Sequence, residues 1–219
     1  MKICFIAKLN KPYVNKSINF LDKIAEKLDV YDCTTSEAFP KKLLNEEYDI
    51  IFSFISSWII PNKVLKKTRL WNINFHPGPP EYPGTGCFNF AIYDSAEKYG
   101  ATAHIMEPSV DTGKIIMVKR FPLEKMESVE NLTIKTYSAL SIMLNELIDY
   151  IKINNILPQT EEIWKRKPFK REDLELLSKI DNNMTKNEIE KRVRATYYPG
   201  KPAPYINIYG KKFEYNPDR

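Results

Sequence analysis

Three polar side chains set the chemistry open to this chain. Asn74 and His76 stand two positions apart in WNINFHPGPPEYPGTG (Trp71 to Gly86), where an alternating, strand-like run gives way to proline and glycine. Strand side chains repeat with a period of two, so an amide and an imidazole share one face at a strand's end. No helix or central strand tolerates the Pro- and Gly-rich half, which must be loop. In open α/β sheets the crevice beyond the carboxyl ends of the strands is where ligands bind. The third side chain, Asp111, lies in the polar loop EPSVDTGK after the next strand, from which it can fold back over the sheet end that carries His76. Amide and imidazolium donors can steady a developing oxyanion, and a carboxylate can keep an imidazole charged and move protons. A plainer reading fits the same residues: Asn74 as a cap, His76 as filler, Asp111 as a turn residue before Gly113.

The surrounding elements are those of an α/β protein. Strands are predicted at Lys2–Lys8, Val30–Cys33, Tyr48–Ile55, Leu70–His76, Ala101–Met106 and Ile115–Phe121, with helices at Val14–Leu28, Pro40–Asn45, Cys87–Asp94 and Ser128–Asn154. The last is the longest, and its stripe of Leu132, Leu140, Leu144, Leu147 and Ile151 reads as core packing. This order predicts an open, mostly parallel twisted sheet with right-handed crossovers and helices on both faces. The turn after the first strand, AKLNKPYVNK, has no glycines to close on a phosphate, which argues against a dinucleotide-binding or P-loop protein. SSWIIP, at the end of a buried strand, can line a pocket for a flat ring or serve as plain packing. His104, the second of two histidines, reads as a packed strand residue.

From Pro158 the character changes. IWKRKPFKRED is basic and broken by proline; a short helix is expected at Arg171–Ile180, then a helix capped by Thr185 and Glu188. A hairpin follows, Tyr205–Tyr209 and Lys212–Tyr215, turning at Gly210. Its crowd of tyrosines asks for a partner surface, on the main body or on a second subunit. The expected organisation is a main domain over 1–155 and an extension over 156–219 that packs on it or on a dimer partner.

The 219 residues, 43% hydrophobic and 28% charged, suit a globular chain able to bury a sizeable core. The longest apolar run, Ile50 to Ile60, is about half the ~20 residues a membrane span needs. MKICFIAKLNK reads as a first strand better than as a signal peptide. Three cysteines in no metal-type spacing (Cys4, Cys33, Cys87) point to a reducing cytoplasm, and no ligand cluster for a metal is visible. A net charge of +5, spread along the chain, favours anionic small molecules over a nucleic-acid surface.

NFHPGPPEYPG followed by GATAHIMEPSVDTGKII, with 35 positions from His76 to Asp111, resembles the folate-dependent formyltransferases over roughly residues 1 to 150. The resemblance implies a Rossmann-like fold, a catalytic set of Asn74, His76 and Asp111, and 10-formyltetrahydrofolate as formyl donor. It places the pterin between Ser57, Trp58, Ile59 and Ile60 on one side and Met106, Glu107 and Pro108 on the other. The amine substrate falls near Pro79, Tyr82 and Gly84. An amine attacks the formyl carbon, Asn74 and protonated His76 donate to the oxyanion, and Asp111 holds His76 charged and helps move the proton.

Departures from the family narrow the amine. A glycinamide ribonucleotide formyltransferase is expected to carry a Gly- and Ser-rich phosphate loop, a methionyl-tRNA formyltransferase a further C-terminal domain, and a formyltetrahydrofolate hydrolase an extra N-terminal one. What remains resembles the sugar N-formyltransferases, acting on a nucleotide-linked amino-deoxy sugar, dTDP-linked by expectation, for cell-surface polysaccharide such as O-antigen; the nucleotide diphosphate would suit the basic Lys165 to Arg171 region and the C-terminal aromatics. A homodimer is implied, with neither nucleic acid nor membrane as partner. The alternatives are a methionyl-tRNA-type or small-metabolite amine formyltransferase of the same fold, and a non-catalytic folate-binding module.

Overall fold

Apolar side chains on both faces of KICFIA and IIFSF force these segments into the middle of a sheet that is covered on each side. The computed structural model describes residues 1–34 and 39–217. Its first half runs β1 (Lys2–Ala7), α1 (Val14–Asp22), β2 (Lys27–Asp32), β3 (Ile50–Phe54), α2 (Asn62–Leu65), β4 (Trp71–His76) and α3 (Cys87–Tyr93). The rest runs β5 (Lys98–Ile105), β6 (Ile115–Pro122), α4 (Val129–Asn154), α5 (Arg171–Ser178), β7 (Lys179–Ile180), α6 (Lys186–Thr196), β8 (Tyr205–Ile208) and β9 (Lys211–Glu214).

Six strands form one sheet in the order β2-β1-β3-β4-β5-β6. The first four are parallel, and β5 and β6 are antiparallel additions, so the sheet is mostly parallel, as expected. On one face Phe5, Phe52, Phe54 and Phe75 pack with Leu140, Met143, Leu144 and Leu147 of α4. On the other, Cys4, Ile6 and Ile51 pack with Tyr48, Ile60, Val64 and Leu65. The strand order reverses between β1 and β3, which opens a crevice beyond their carboxyl ends.

Several expectations need correction. The first helix stops at Asp22 instead of Leu28, and β2 starts at Lys27 instead of Val30. Leu28 had helical spacing but pairs with Ile3 in the sheet, and the Glu26 and Lys27 amides both donate to the Met1 carbonyl. The Pro40–Asn45 helix is a 3₁₀ turn over Lys41–Leu44 with Pro40 as its cap. Nothing in the periodicity announced α2 or the two-residue β7, which are too short to show any.

The carboxyl-terminal part follows its local signals. Thr185 Oγ1 accepts from the Glu188 amide at 3.2 Å and starts α6. Tyr209 and Gly210 have φ of 47° and 76°, the two positive values that a two-residue hairpin turn of this hand requires. β7 adds in parallel to β8, making a small three-stranded sheet that the hairpin alone did not foretell. Asn89 of α3 donates to the Ala195 carbonyl of α6 at 2.7 Å, and Tyr93 donates to Glu188 at 2.9 Å. No helix among the described residues is long and apolar enough to cross a membrane.

Candidate active site

Register brings the polar side chains together. In the antiparallel pair β4 and β5, Asn74 lies opposite His104 and His76 opposite Thr102. Directly opposed residues share a face, so all four project to one side of the sheet. The register shift between β5 and β6 falls at Ala103 and His104, where such an irregularity re-aims a side chain. The loop after β5 then doubles back and brings Asp111 over this group in a left-handed conformation, φ 47°.

Asp111 is the hub. Its Oδ2 is 3.0 Å from His76 Nδ1 and accepts from the Gly84 amide at 2.7 Å. Its Oδ1 is 3.2 Å from His104 Nε2 and 3.5 Å from Asn74 Nδ2. His76 Nε2 is 2.9 Å from the Tyr82 carbonyl, so both ring nitrogens face acceptors that have no proton to give. Only an imidazolium satisfies both. Burial pushes the His76 pKa down, but the Asp111 charge and hydrogen bond, with the Tyr82 carbonyl, overcome this and raise it. Burial likewise raises the Asp111 pKa, and the two histidines more than offset it, holding the carboxyl well below its ordinary range. The site therefore holds a buried ion pair.

His104 belongs to the group and is not merely packed. Its Nδ1 donates to the Ile105 carbonyl at 2.8 Å, and its Nε2 is 3.0 Å from Asn74 Nδ2. Thr102 Oγ1 donates to the Gly78 carbonyl at 2.7 Å and pins the Pro-rich loop to β5. In the sequence the period-two placement of Thr102 and His104 was visible, but not the antiparallel register that sets them beside Asn74 and His76.

Segment 160–170, which overlaps the basic Lys165 to Arg171 region expected to suit a nucleotide diphosphate, was not expected to pack along the Pro-rich loop. The Lys165 amide donates to the Pro80 carbonyl at 3.0 Å, Phe169 to Pro83 at 2.9 Å, and Thr85 to Phe169 at 2.9 Å, so this segment runs as a strap along the Pro-rich loop. A Cβ on Gly84 would sit 2.3 Å from the Phe169 carbonyl oxygen, which explains glycine at this crossing. Phe169 stacks on Phe90 with centroids 3.6 Å apart, and Arg166 lies over its other face at 3.5 Å. Arg120 ties strap to loop by pairing with Glu81 at 3.0 Å and with Glu162. No sequence pattern marks a strap, because its backbone bonds require no residue type.

A cavity of about 650 Å³ opens over Asn74, His76, His104 and Asp111. Ser57, Trp58, Ile59 and Ile60 line it, as do Met106, Glu107 and Pro108. Of the residues expected near the amine, Gly84 lines the cavity; Pro79 and Tyr82 do not. Both are buried within the loop, and Tyr82 meets the site only through its carbonyl. Lys8, at the end of β1, and Arg171, at the start of α5, bring positive charge to the lining.

Two consequences are measurable. His76, with its pKa raised on folding, contributes stability that is complete below about 6.5, the unfolded value, and lost as pH climbs through the folded one. Asp111, depressed on folding, contributes above about 3.9 and loses it as pH falls through the folded value. The urea midpoint should therefore be flat between about pH 4 and 6.5 as far as this pair is concerned. An alkaline decline should follow that Asp111→Asn removes; the same decline in both proteins would contradict the pair. Second, a Cβ on Gly78 would lie 2.6 Å from His76 Nε2 and 3.0 Å from the Tyr82 carbonyl oxygen. Gly78→Ala should lower stability by about 1–3 kcal/mol in a urea melt, since the imidazole has no room to retreat.

A profile of known sequences described as formyl transferase matches residues 24–148, more than half of the chain. The chain belongs to the formyl transferase family. A GDP-perosamine N-formyltransferase from Brucella melitensis is 26% identical over 179 residues, which are 81% of this chain and 68% of that protein. A methionyl-tRNA formyltransferase from Ehrlichia canis is 27% identical over 182 residues, covering 80% of this chain and 55% of that one. The chain thus spans about two thirds of the first relative and about half of the second. Among solved structures, a 4-N formyltransferase from Francisella tularensis superposes with a TM-score of 0.79 at 21% identity, over 98% of this chain and 96% of that one. An N-formyltransferase from Helicobacter canadensis, solved with folinic acid and dTDP-3-aminofucose, gives 0.74 at 20% identity, over 96% and 85%. At these identities the two structures establish the formyltransferase fold.

Proposed function

We propose that this formyl transferase moves a formyl group from 10-formyltetrahydrofolate to the amino group of a nucleotide-linked amino-deoxy sugar, dTDP-linked in the finer reading, for cell-surface polysaccharide. One observation carries the chemistry: Asn74, His76 and Asp111 meet at a buried ion pair on the floor of a cavity large enough for a folded cofactor's head group. The lining fits a pterin, with Trp58, Ile59, Ile60 and Met106 as apolar walls and with Ser57, Glu107 and the nearby backbone as polar neighbours. The folate supplies the one-carbon unit; the chain supplies position, charge and a proton path.

Asn74 Nδ2 and the His76 imidazolium are the donors available to an oxygen that gains charge, each worth about 3 kcal/mol in such a role. His76 Nε2–H rests on the neutral Tyr82 carbonyl, an acceptor that a charged oxygen outcompetes. Asp111 keeps His76 protonated and, directly or through a water, can take the proton that the attacking amine releases and pass it to the folate nitrogen as the bond from that nitrogen to the formyl carbon breaks. A sugar as amine carrier is supported by the similarity to a GDP-perosamine N-formyltransferase, and a nucleotide diphosphate suits Lys8 and Arg171 at the cavity. The similarity to methionyl-tRNA formyltransferases supports a second reading, with charged tRNA as the amine.

The test is mass spectrometry after incubation with the formyl donor and a panel of nucleotide amino sugars, in parallel with methionyl-tRNA. One added formyl group on a nucleotide sugar supports the first reading and on the tRNA the second. Formylation of neither, with folate still bound, would leave a folate-binding module.

A further inference from the structure

Trp164 is the one residue of the strap that reaches both imidazoles. Its indole centroid is 5.8 Å from that of His76 and 5.1 Å from that of His104, in edge-to-face arrangements of 75° and 84°. Its Nε1 donates to the Gly113 carbonyl at 2.8 Å, two residues beyond Asp111. A Cβ on Gly113 would lie 1.9 Å from the Ile105 carbonyl oxygen, so this turn is pressed against β5 and has little freedom to follow a moving indole. The half-buried Trp164 also lines a second, smaller hollow formed with Thr112, Lys114 and Thr160. The indole is thus the wall between that hollow and the buried histidines.

We propose that Trp164 is a positioning residue: it fixes the orientation of His76 and His104 against Asp111 and keeps water from reaching the ion pair from the strap side. The proposal rests on the catalytic reading of His76 given above, but its physical content is independent of it. A dry surrounding costs the imidazolium its solvation and also strengthens the pull of Asp111 on the ring, and here the pull outweighs the cost. Removing the indole admits water, which weakens both, so the His76 pKa falls back toward its ordinary value. The other titratable or charged groups around His76 are Asp111 on its loop, His104 and Tyr99 on β5, Cys87 on α3 and Tyr82 in the Pro-rich loop; Glu162 and Lys165 flank the indole on the strap.

The experiment compares the full-length chain with Trp164→Ala and Trp164→Phe by NMR titration of the two histidines and by the pH dependence of kcat and KM. Trp164→Ala should move the His76 midpoint down toward about 6.5 and lower kcat about tenfold or more, with each KM within about threefold. Trp164→Phe keeps a ring and loses the N–H, and should fall between Ala and the parent in both readings. An unchanged His76 midpoint in Trp164→Phe and in a folded Trp164→Ala would overturn the proposal. If Trp164→Ala does not fold, the Phe variant alone decides. A parent protein without formyl transfer would refute the catalytic reading, while the titration would still test the role of Trp164.

Discussion

Asp111→Asn is expected to reduce formyl transfer by about a thousandfold or more, the combined size of a lost proton acceptor and a misdirected charged donor. Asparagine has almost the shape of aspartate and tolerates the left-handed backbone at this position, so the change removes charge with little disturbance of the loop. What it leaves behind is a fully enclosed His76 with no anion beside it. Breaking a buried pair by removing one partner costs about 3–5 kcal/mol while the other stays charged. His76 can escape part of that cost by giving up its proton, but then either the Tyr82 carbonyl or the amide oxygen at 111 faces a bare nitrogen, or the amide turns its NH2 to the ring and leaves the Gly84 N–H without an acceptor. The loss of stability should therefore be greatest near pH 5, where the parent's imidazolium is secure, and smaller near pH 8. Retention of a tenth of the activity, or a loss independent of pH, would mean that Asp111 serves the loop and not the histidine.

The sequence showed which polar side chains meet better than it showed the elements that bring them together. Asn74 and His76 were legible because strand alternation is local: two positions on a strand share a face whatever the fold. Asp111 required a motif resemblance, since no local rule says where a loop folds. His104 was hidden by topology. Its partnership with Asn74 exists only because β5 runs antiparallel to β4, and a buried apolar strand reads the same in either direction. The C-terminal hairpin was legible from Tyr209-Gly210 for the opposite reason, being set by two residues' φ values. The α1 and β2 boundary failed because Leu28 satisfies two periods at once, and its pairing with Ile3 decides the matter. Segment 160–170 gave no sign of its place because it is held through main-chain groups and a stacked Phe169, in a stretch whose lysines and arginines read as solvated surface.

That segment carries the other large expected effect. Phe169→Ala should lower stability by about 3–5 kcal/mol, in the range for removing a buried phenyl ring. The ring is only 8% exposed, lies flat on Phe90 of α3 and is covered by Arg166, so its loss leaves a slot between two elements that cannot close without moving one of them. The effect on the site should exceed what the stability loss alone explains. The Phe169 backbone holds Pro83 and Thr85, and between these two residues the Gly84 amide donates to Asp111. Loosening the strap therefore slackens the carboxylate that keeps His76 charged, although Phe169 makes no bond to either residue. Phe169→Leu should recover much of the stability by refilling the slot, but not the flat stacking that fixes the strap's height on α3. The measurements are urea melts of both variants together with kcat well below their melting temperatures, where the protein is folded. Stability and kcat should fall together in Phe169→Ala, and kcat should stay depressed in a largely restabilised Phe169→Leu. Full kcat in the folded alanine variant would show that the Pro-rich loop holds Asp111 without the strap.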